Sequence, residues 1–358
     1  MVDSNTSSKG PLEESTDSCR EISQHQRKLR FYFSAMHNFC FEEQYYQKVY
    51  WDIDGIPLCR AVKETNVRSV LSYNPADDDV FIVTYPKCGT MWMQHIVYGI
   101  ITHGSKNLPT LDERRKTMPF LEWVGADVVS ATARPRIIKS HLPLQLLPFS
   151  AKAKYIYVAR NPYDVCVSNY YHKKVVPFYF FENGTFDEFV DMFVHGKVTY
   201  GDYFDHLLSW YKHRDDDNVM FVTYEELKRD TRGWILKIAD FLGIEEYGRP
   251  LKEDPVALEK VLELSSFEQS KSLYTRDDTS TDNTVMTDVC HDEASTSIGM
   301  GKHEDILKKV KQNHTRKGIV GDWKNHFSTE QVTRMREYIT LKTCGSDVMN
   351  LWKDVNIP

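Results

Sequence analysis

The chain has no long uninterrupted apolar run. Its most aromatic early stretch, residues 31–41, is short and broken by Ser34, His37 and Asn38. A bilayer span needs about 20 consecutive apolar residues, so membrane residence is not expected. An excess of positive charge is also missing: 45 Lys and Arg against 51 Asp and Glu leave a net charge of −6. That balance argues against a nucleic-acid binder while permitting a local basic site. The seven cysteines are scattered and show no CxxC spacing. They read as reduced thiols of a cytoplasmic protein, not as a disulfide framework or a zinc site. The start, Met1-Val-Asp-Ser-Asn5, has neither a basic nor an apolar leader region, so secretion is not expected. No internal repeat is visible.

Aromatics are plentiful, with 20 Tyr and 18 Phe, enough for a substantial core. Residues 1–30 are polar and Ser-rich, and the composition predicts a disordered extension. Residues 31–358 read as one domain. Within it, runs at 80–84, 136–139, 155–159 and 219–223 are short, β-branched or aromatic, and almost wholly apolar. That pattern suits parallel strands covered on both faces. Segments with helical apolar spacing lie between them, at 92–103, 163–171, 186–194, 203–211 and 231–242. The alternation predicts an α/β fold: a single doubly wound domain with a central parallel sheet and helices on both faces. Ligands of such sheets sit beyond the carboxyl ends of the strands. Turns are expected at Asp54-Gly55 and near Asn74-Pro75. Residues 275–304 are polar and acidic, which predicts a flexible loop, read as a mobile lid over a substrate pocket.

The first strand runs into Thr84-Tyr-Pro-Lys-Cys-Gly-Thr-Met-Trp92. Strand, Lys/Gly/Thr turn, then helix is the layout of a phosphate cradle. Helix N-terminal amides carry partial positive charge, Lys87 adds a full one, and Gly89 permits close approach. The order is not that of a Walker A loop, in which Gly precedes Lys. After the second run comes Lys139-Ser-His141-Leu-Pro143, with a histidine placed for general-base work; a structural histidine is the competing reading. After the third comes Arg160-Asn-Pro-Tyr-Asp-Val-Cys-Val-Ser168, where Pro162 can open a helix and Asp164 suits its first turn. Arg160 would have to reach forward along that helix to share a ligand with Ser168, and a surface ion pair is the alternative. Arg316-Lys-Gly-Ile-Val-Gly-Asp-Trp-Lys-Asn325 is a second candidate anion site, or else a solvated charge run. Together these sets suggest a ligand with two separated anionic groups, with Trp92 and Phe267 flanking a nucleobase.

These segments resemble the signatures of the cytosolic sulfotransferase family, which uses 3′-phosphoadenosine 5′-phosphosulfate (PAPS). The matching stretches are 84–92, 139–143, 160–168, 224–230 and 316–325, in the family's order. The resemblance implies a P-loop-like phosphosulfate-binding loop formed by Lys87, Cys88, Gly89, Thr90 and Met91. It implies that Arg160, Ser168, Arg316, Lys317 and Gly318 hold the 3′-phosphate, and that Trp92, Tyr224, Ser265 and Phe267 hold the adenosine. Lys87, Lys139 and His141 would be catalytic, with no metal. The expected activity is sulfuryl transfer from PAPS to a phenol, a catecholamine or aromatic amine, or an alcohol, leaving the desulfated product PAP. Phe120, Tyr170, Tyr171 and Phe178 are the leading acceptor-pocket candidates, joined by Trp123, Tyr179 and Phe180.

The chain departs from the family pattern at Cys88 and Met91, where the family has Ser and Thr, and this predicts altered cofactor affinity or transfer rate. Ser270 stands where the family has Met. The family's C-terminal dimer signature is lost across 324–333, so a monomer or a non-standard homodimer is expected. Two other readings stay open. One is a non-catalytic PAP- or PAPS-binding protein, opposed by the retention of Lys87, Lys139 and His141. The other is a P-loop-type small-molecule kinase, opposed by the Lys/Gly order.

Overall fold

The structure is a computed structural model in which residues 39–276 and 316–358 are described. The expected extension at 1–30 and most of the acidic segment 275–304 therefore lie outside the described residues.

A helix, Phe39–Val49, leads into a hairpin of β1 (Tyr50–Ile53) and β2 (Ile56–Cys59). Their turn is Asp54-Gly55, with φ of 49° and 81°, the left-handed pair that matches the twist of a two-residue hairpin. The main sheet holds β3 (Val80–Thr84), β4 (Ile137–Ser140), β5 (Lys154–Ala159) and β6 (Val219–Thr223) in the order β4-β3-β5-β6. All neighbours are parallel.

Side chains alternate between two cores, as the pleat requires. Val80, Ile82, Ile156 and Val158 pack with the helices Thr90–Ile101, Thr231–Leu242 and Pro255–Leu264 on one face. Phe81, Val83, Tyr155 and Tyr157 pack with Pro162–Val175, Phe186–Val194 and Tyr203–Tyr211 on the other. A strand buried on both sides must be apolar throughout, which is why these runs do not alternate with polar residues. The sheet crosses over after β4: β5 lies on the opposite side of β3. The C-terminal ends of β3 and β5 therefore face a topological switch point, and the candidate motifs follow those ends.

The reading of the cysteines is corrected in part. Cys59, Cys88 and Cys166 are buried free thiols, whereas Cys344 is disulfide-bonded. Spacing along the chain does not reveal tertiary proximity, so the cysteine pattern no longer supports a reducing compartment. Among the described residues no helix is long and apolar enough to cross a membrane.

Candidate active site

The loop after β3 turns on two left-handed residues, Lys87 at φ 73° and Gly89 at φ 103°. Gly89 also ends the turn without a side-chain cap, so the Thr90–Ile101 helix opens on backbone alone. The opening amides of a helix have no intrahelical acceptor and favour an anion. A Cβ on Gly89 would stand 2.9 Å from Cδ2 of Tyr224. The Tyr224 ring in turn meets Trp92 edge-on at 5.3 Å, and the Arg160 guanidinium lies 4.4 Å above it. Four residues expected at the nucleotide thus form one contact group.

Arg160 follows β5 and ties the two basic segments together. Its Nη1 donates to the Lys87 carbonyl at 3.2 Å and its Nη2 to the Ile319 carbonyl at 3.2 Å. Asp164 lies 3.9 Å away. The Nε atoms of Arg160 and Arg316 are buried without a hydrogen-bond partner among the described residues. Two buried guanidinium donors left over at one place suit an anionic ligand. Arg160 turns back toward the loop and not forward along the helix, and Ser168 is half-buried on that helix.

The 316–325 turn is assembled by two carboxylates, Asp164, which the sequence placed only in the first turn of its helix, and Asp322, which it left unassigned. Asp164 accepts the backbone N–H of Gly321 at 2.7 Å and of Trp323 at 3.0 Å. Asp322 accepts from Arg316 Nη1 at 2.5 Å and Lys317 Nζ at 2.7 Å, and lies 3.2 Å from His326 Nε2. Burial opposes ionisation of Asp322, but hydrogen bonds from Lys317, Arg316 and Asn325 hold its carboxyl well below the usual range. Gly318, at φ 65°, passes so close to Phe267 that a Cβ would stand 2.8 Å from the ring. Phe267 and the basic turn are therefore neighbours, as expected. Ser265 is buried, and its hydroxyl donates to the Leu262 carbonyl at 3.0 Å.

His141 follows β4. Its Nδ1 lies 2.8 Å from the Thr84 carbonyl and 3.1 Å from Thr84 Oγ1. A carbonyl only accepts, so Nδ1 carries the hydrogen and Nε2 keeps its lone pair. Burial first, and Lys139 second, push the His141 pKa well down, so the ring is neutral at physiological pH. Thr84 Oγ1 also meets Thr90 Oγ1 at 2.7 Å, which links the loop to the histidine. From behind, His206 Nε2 lies 3.0 Å from the His141 carbonyl, and from the front Glu122 Oε1 accepts the His141 backbone N–H at 2.6 Å. Lys139 is half-buried with its ammonium 3.9 Å over the Phe120 ring. Burial lowers the Lys87 amine to about 8, helped by repulsion from Lys139, Arg160 and Arg316. These cations share one field.

The structure separates the acceptor-pocket candidates. Phe120 meets His141 edge-on at 5.1 Å, Trp123 follows at 6.0 Å from Phe120, and Phe178 at 6.2 Å from Trp123. Tyr179 is buried against Phe178, and Phe180 is half exposed under Lys48. Tyr170 and Tyr171 do not join that aromatic row. Tyr170 packs on Phe186 and Phe189, and Tyr171 lies beneath the Arg316 guanidinium and beside His326. Both stand on the Pro162–Val175 helix, which directs them to another part of the same core and to the basic turn. Cys88 is also displaced from its expected role: its side chain is fully buried in the core and its amide donates within the turn to the Tyr85 carbonyl at 3.3 Å. The thiol therefore does not line the cradle.

The sequence reading passed over Tyr200, whose ring lies 5.4 Å from His141 and whose φ is 69°. It also passed over Glu122, although a Glu inside Pro119-Phe-Leu-Glu-Trp123 was a visible signal. Among the described residues no group of His, Cys, Asp or Glu could hold a metal ion.

Comparison with known proteins agrees with this geometry. The family model described as the sulfotransferase domain matches residues 77–349. Mouse sulfotransferase 2B1 is 38% identical over 262 residues, 72% of this chain and 69% of the relative. Human sulfotransferase 1C2 is 32% identical over 306 residues, 83% of this chain and 93% of the relative. The crystal structure of mouse sulfotransferase SULT7A1 complexed with PAP superposes with a TM-score of 0.63 at 28% identity, covering 86% of this chain and 98% of that one. The matched region contains every strand of the main sheet, the loop, the histidine and the basic turn, and the chain belongs to the sulfotransferase family.

Proposed function

We propose that the protein transfers the sulfuryl group of PAPS to a hydroxyl or amine of a small acceptor, with His141 as general base. The observation that carries this reading is a neutral histidine, its Nε2 lone pair left over, beside the mutually repelling cations Lys87, Lys139, Arg160 and Arg316. Such a cluster suits a ligand with more than one anionic group. The PAP held by the mouse relative supports the choice of donor.

Lys87, Gly89, Thr90 and the helix amides would hold the 5′-phosphosulfate. Arg160, Ser168, Arg316, Lys317 and Gly318 would hold the 3′-phosphate, Ser168 from the Pro162–Val175 helix. Trp92, Tyr224, Ser265 and Phe267 would enclose the adenosine. PAPS, when bound, supplies an activated sulfuryl group on a phosphate leaving group. His141 Nε2 takes the proton of the acceptor as its oxygen or nitrogen forms the new bond to sulfur. Lys87 and Lys139 neutralise charge on the oxygen left behind. The chain's contribution is positioning and charge stabilisation, not covalent chemistry of its own.

The acceptor would lie along Phe120, Trp123 and Phe178, an aromatic row that suits flat phenols or aromatic amines. Under the same reading the enzyme is cytoplasmic, by resemblance to the cytosolic family, and acts as a monomer or a non-standard homodimer.

The test incubates purified protein with PAPS, a panel of phenols, catecholamines and alcohols, and a metal chelator. Sulfated product is expected, and His141→Ala should lower turnover by about 10²-fold or more with PAP affinity unchanged. Tight PAP binding with no product from any acceptor would instead favour a binding protein. ATP turnover restored by magnesium would favour a kinase.

A further inference from the structure

Glu122 sits on a one-turn helix, Leu121–Val124, fastened to the edge strand of the sheet. Phe120 pairs with Lys139 in a parallel bridge, and the Lys139 amide donates to the Pro119 carbonyl at 2.9 Å. The segment 119–123 thus adds a short strand-like edge beside β4, directly at the catalytic residues. Phe120 covers both Lys139 and His141. Glu122 lies beneath them, fully buried. Its Oε1 accepts the His141 backbone N–H at 2.6 Å, while Oε2 has no hydrogen-bond partner among the described residues.

A buried carboxyl is costly unless its charge is used. The groups facing Glu122 are Lys139 and the Ser140 hydroxyl from β4, the His141 amide, and the Tyr200 phenol from the opposite loop. Lys139 is the one full positive charge among them, and it in turn interacts with the charges of Arg114 and Lys87.

We propose that Glu122 is a positioning residue with two tasks: it fixes the His141 backbone through one oxygen, and, buried two residues beyond the Phe120–Lys139 bridge, it serves Lys139 as counter-charge during transfer. This rests on His141 and Lys139 acting as read above.

The electrostatics agree with the geometry. Burial lowers the Lys139 amine to about 8, and Glu122 is the group that pulls it back up. Burial raises the Glu122 carboxyl to about 7, and the His141 amide and Lys139 pull it back down. Each ion thus favours the other, and both are charged between those two values. Removing the carboxylate leaves the burial of Lys139 unopposed, so its proton is lost at lower pH.

Glu122→Gln separates the two tasks. The amide oxygen still accepts the His141 N–H, but the charge is gone. The basic limb of the kcat pH profile should move toward acid by about one pH unit, with turnover at pH 8 down about 5-fold and PAP affinity unchanged. Glu122→Ala should lose turnover at every pH, because the His141 amide then lacks its acceptor. An independent readout is the ¹³C resonance of reductively methylated Lys139, assigned with Lys139→Arg. In Glu122→Gln without any ligand it should titrate about one unit lower.

If Glu122→Gln matches the parent in pH profile and in Lys139 titration while His141→Ala is inactive, the role of Glu122 is overturned and the general-base reading stands. If His141→Ala keeps parental turnover, the general-base reading falls and this proposal falls with it. A loss in Glu122→Gln of thermal stability and PAP affinity together, with no shift of the basic limb, would assign the residue to folding alone.

Discussion

The loop at residues 84–92 and the turn at 316–325 both gather cations, and they are held in different ways. The loop is shaped by its own neighbours in the chain. A buried strand delivers it, a helix receives it, and Lys87 and Gly89 bend between them in left-handed conformations. The turn is held from far away. Asp164, 157 positions earlier in the chain, accepts the Gly321 amide, and Arg160 bonds the Ile319 carbonyl across 159 positions. Its two leading cations moreover share one counter-ion, Asp322. The loop is therefore a cradle whose field is exposed, whereas the turn carries its own counter-ion. Residues that look equally basic in sequence differ in what an anion must displace to reach them.

That contrast can be broken at its remote clamp first. Asp164→Ala should have the largest effect on nucleotide affinity. It strips the acceptor from two backbone donors, that of Trp323 being buried, a loss of about 2–4 kcal/mol in stability if each unsatisfied group costs its usual amount. Calorimetry should show a large drop in affinity for 3′,5′-bisphosphate adenosine and a small one for a nucleotide lacking the 3′-phosphate. Equal losses would mean that the turn is not the 3′ site.

Gly89→Ala probes the local cradle and should come second. The left-handed backbone costs a non-glycine residue about 1–2 kcal/mol, and the new methyl would press on Tyr224, which lies beneath Arg160. Both ligands should weaken to a similar degree, because the loop serves the 5′ end they share. A selective loss of the 3′-phosphate ligand would contradict the division of labour.

Cys88→Ser should have the smallest effect on binding. The side chain is in the core, so restoring the family's hydroxyl should leave PAP affinity and turnover unchanged. Chemical denaturation should show a loss of at most about 1 kcal/mol, because the buried hydroxyl can accept the Arg160 backbone N–H that already meets the thiol. A clear gain in affinity would return residue 88 to the cradle.

Strand and helix positions were legible wherever one element accounts for its own pattern. The runs at 80–84 and 219–223 and the helices at 186–194, 203–211 and 231–242 match the structure end to end. The second strand is shifted by one residue, to Ile137–Ser140, since Arg136 contributes its carbonyl to Val80 but turns its side chain to Asp79. Helices such as Pro255–Leu264 and Thr329–Lys342 were not read, although Asp254 and Ser328 cap them with side-chain oxygens. Trp92, Tyr224 and Arg160 were assigned to one ligand on sequence grounds and do meet. Tyr170 and Tyr171 were read as acceptor candidates for an aromatic pocket; the structure places them apart from the row of Phe120, Trp123 and Phe178, since aromatic rings in a sequence inform about burial but not about which side of a helix they serve.

The amino-acid sequence by itself determined the α/β class, the cradle after β3 and the family, because each depends on contiguous residues whose spacing mirrors local geometry. Tertiary structure alone decided the tautomer of His141, which requires the Thr84 carbonyl 57 positions away. It decided that Cys88 is core and that Cys344 is disulfide-bonded. It also decided which carboxylates attend the site: Asp322 beside Arg316 and Lys317, Asp164 on the turn, and Glu122 on the His141 amide. The physical reason is common to all of these. Charge, hydrogen bonding and burial act through space over a few ångströms, and the strand order β4-β3-β5-β6 brings within that range groups that the chain keeps far apart.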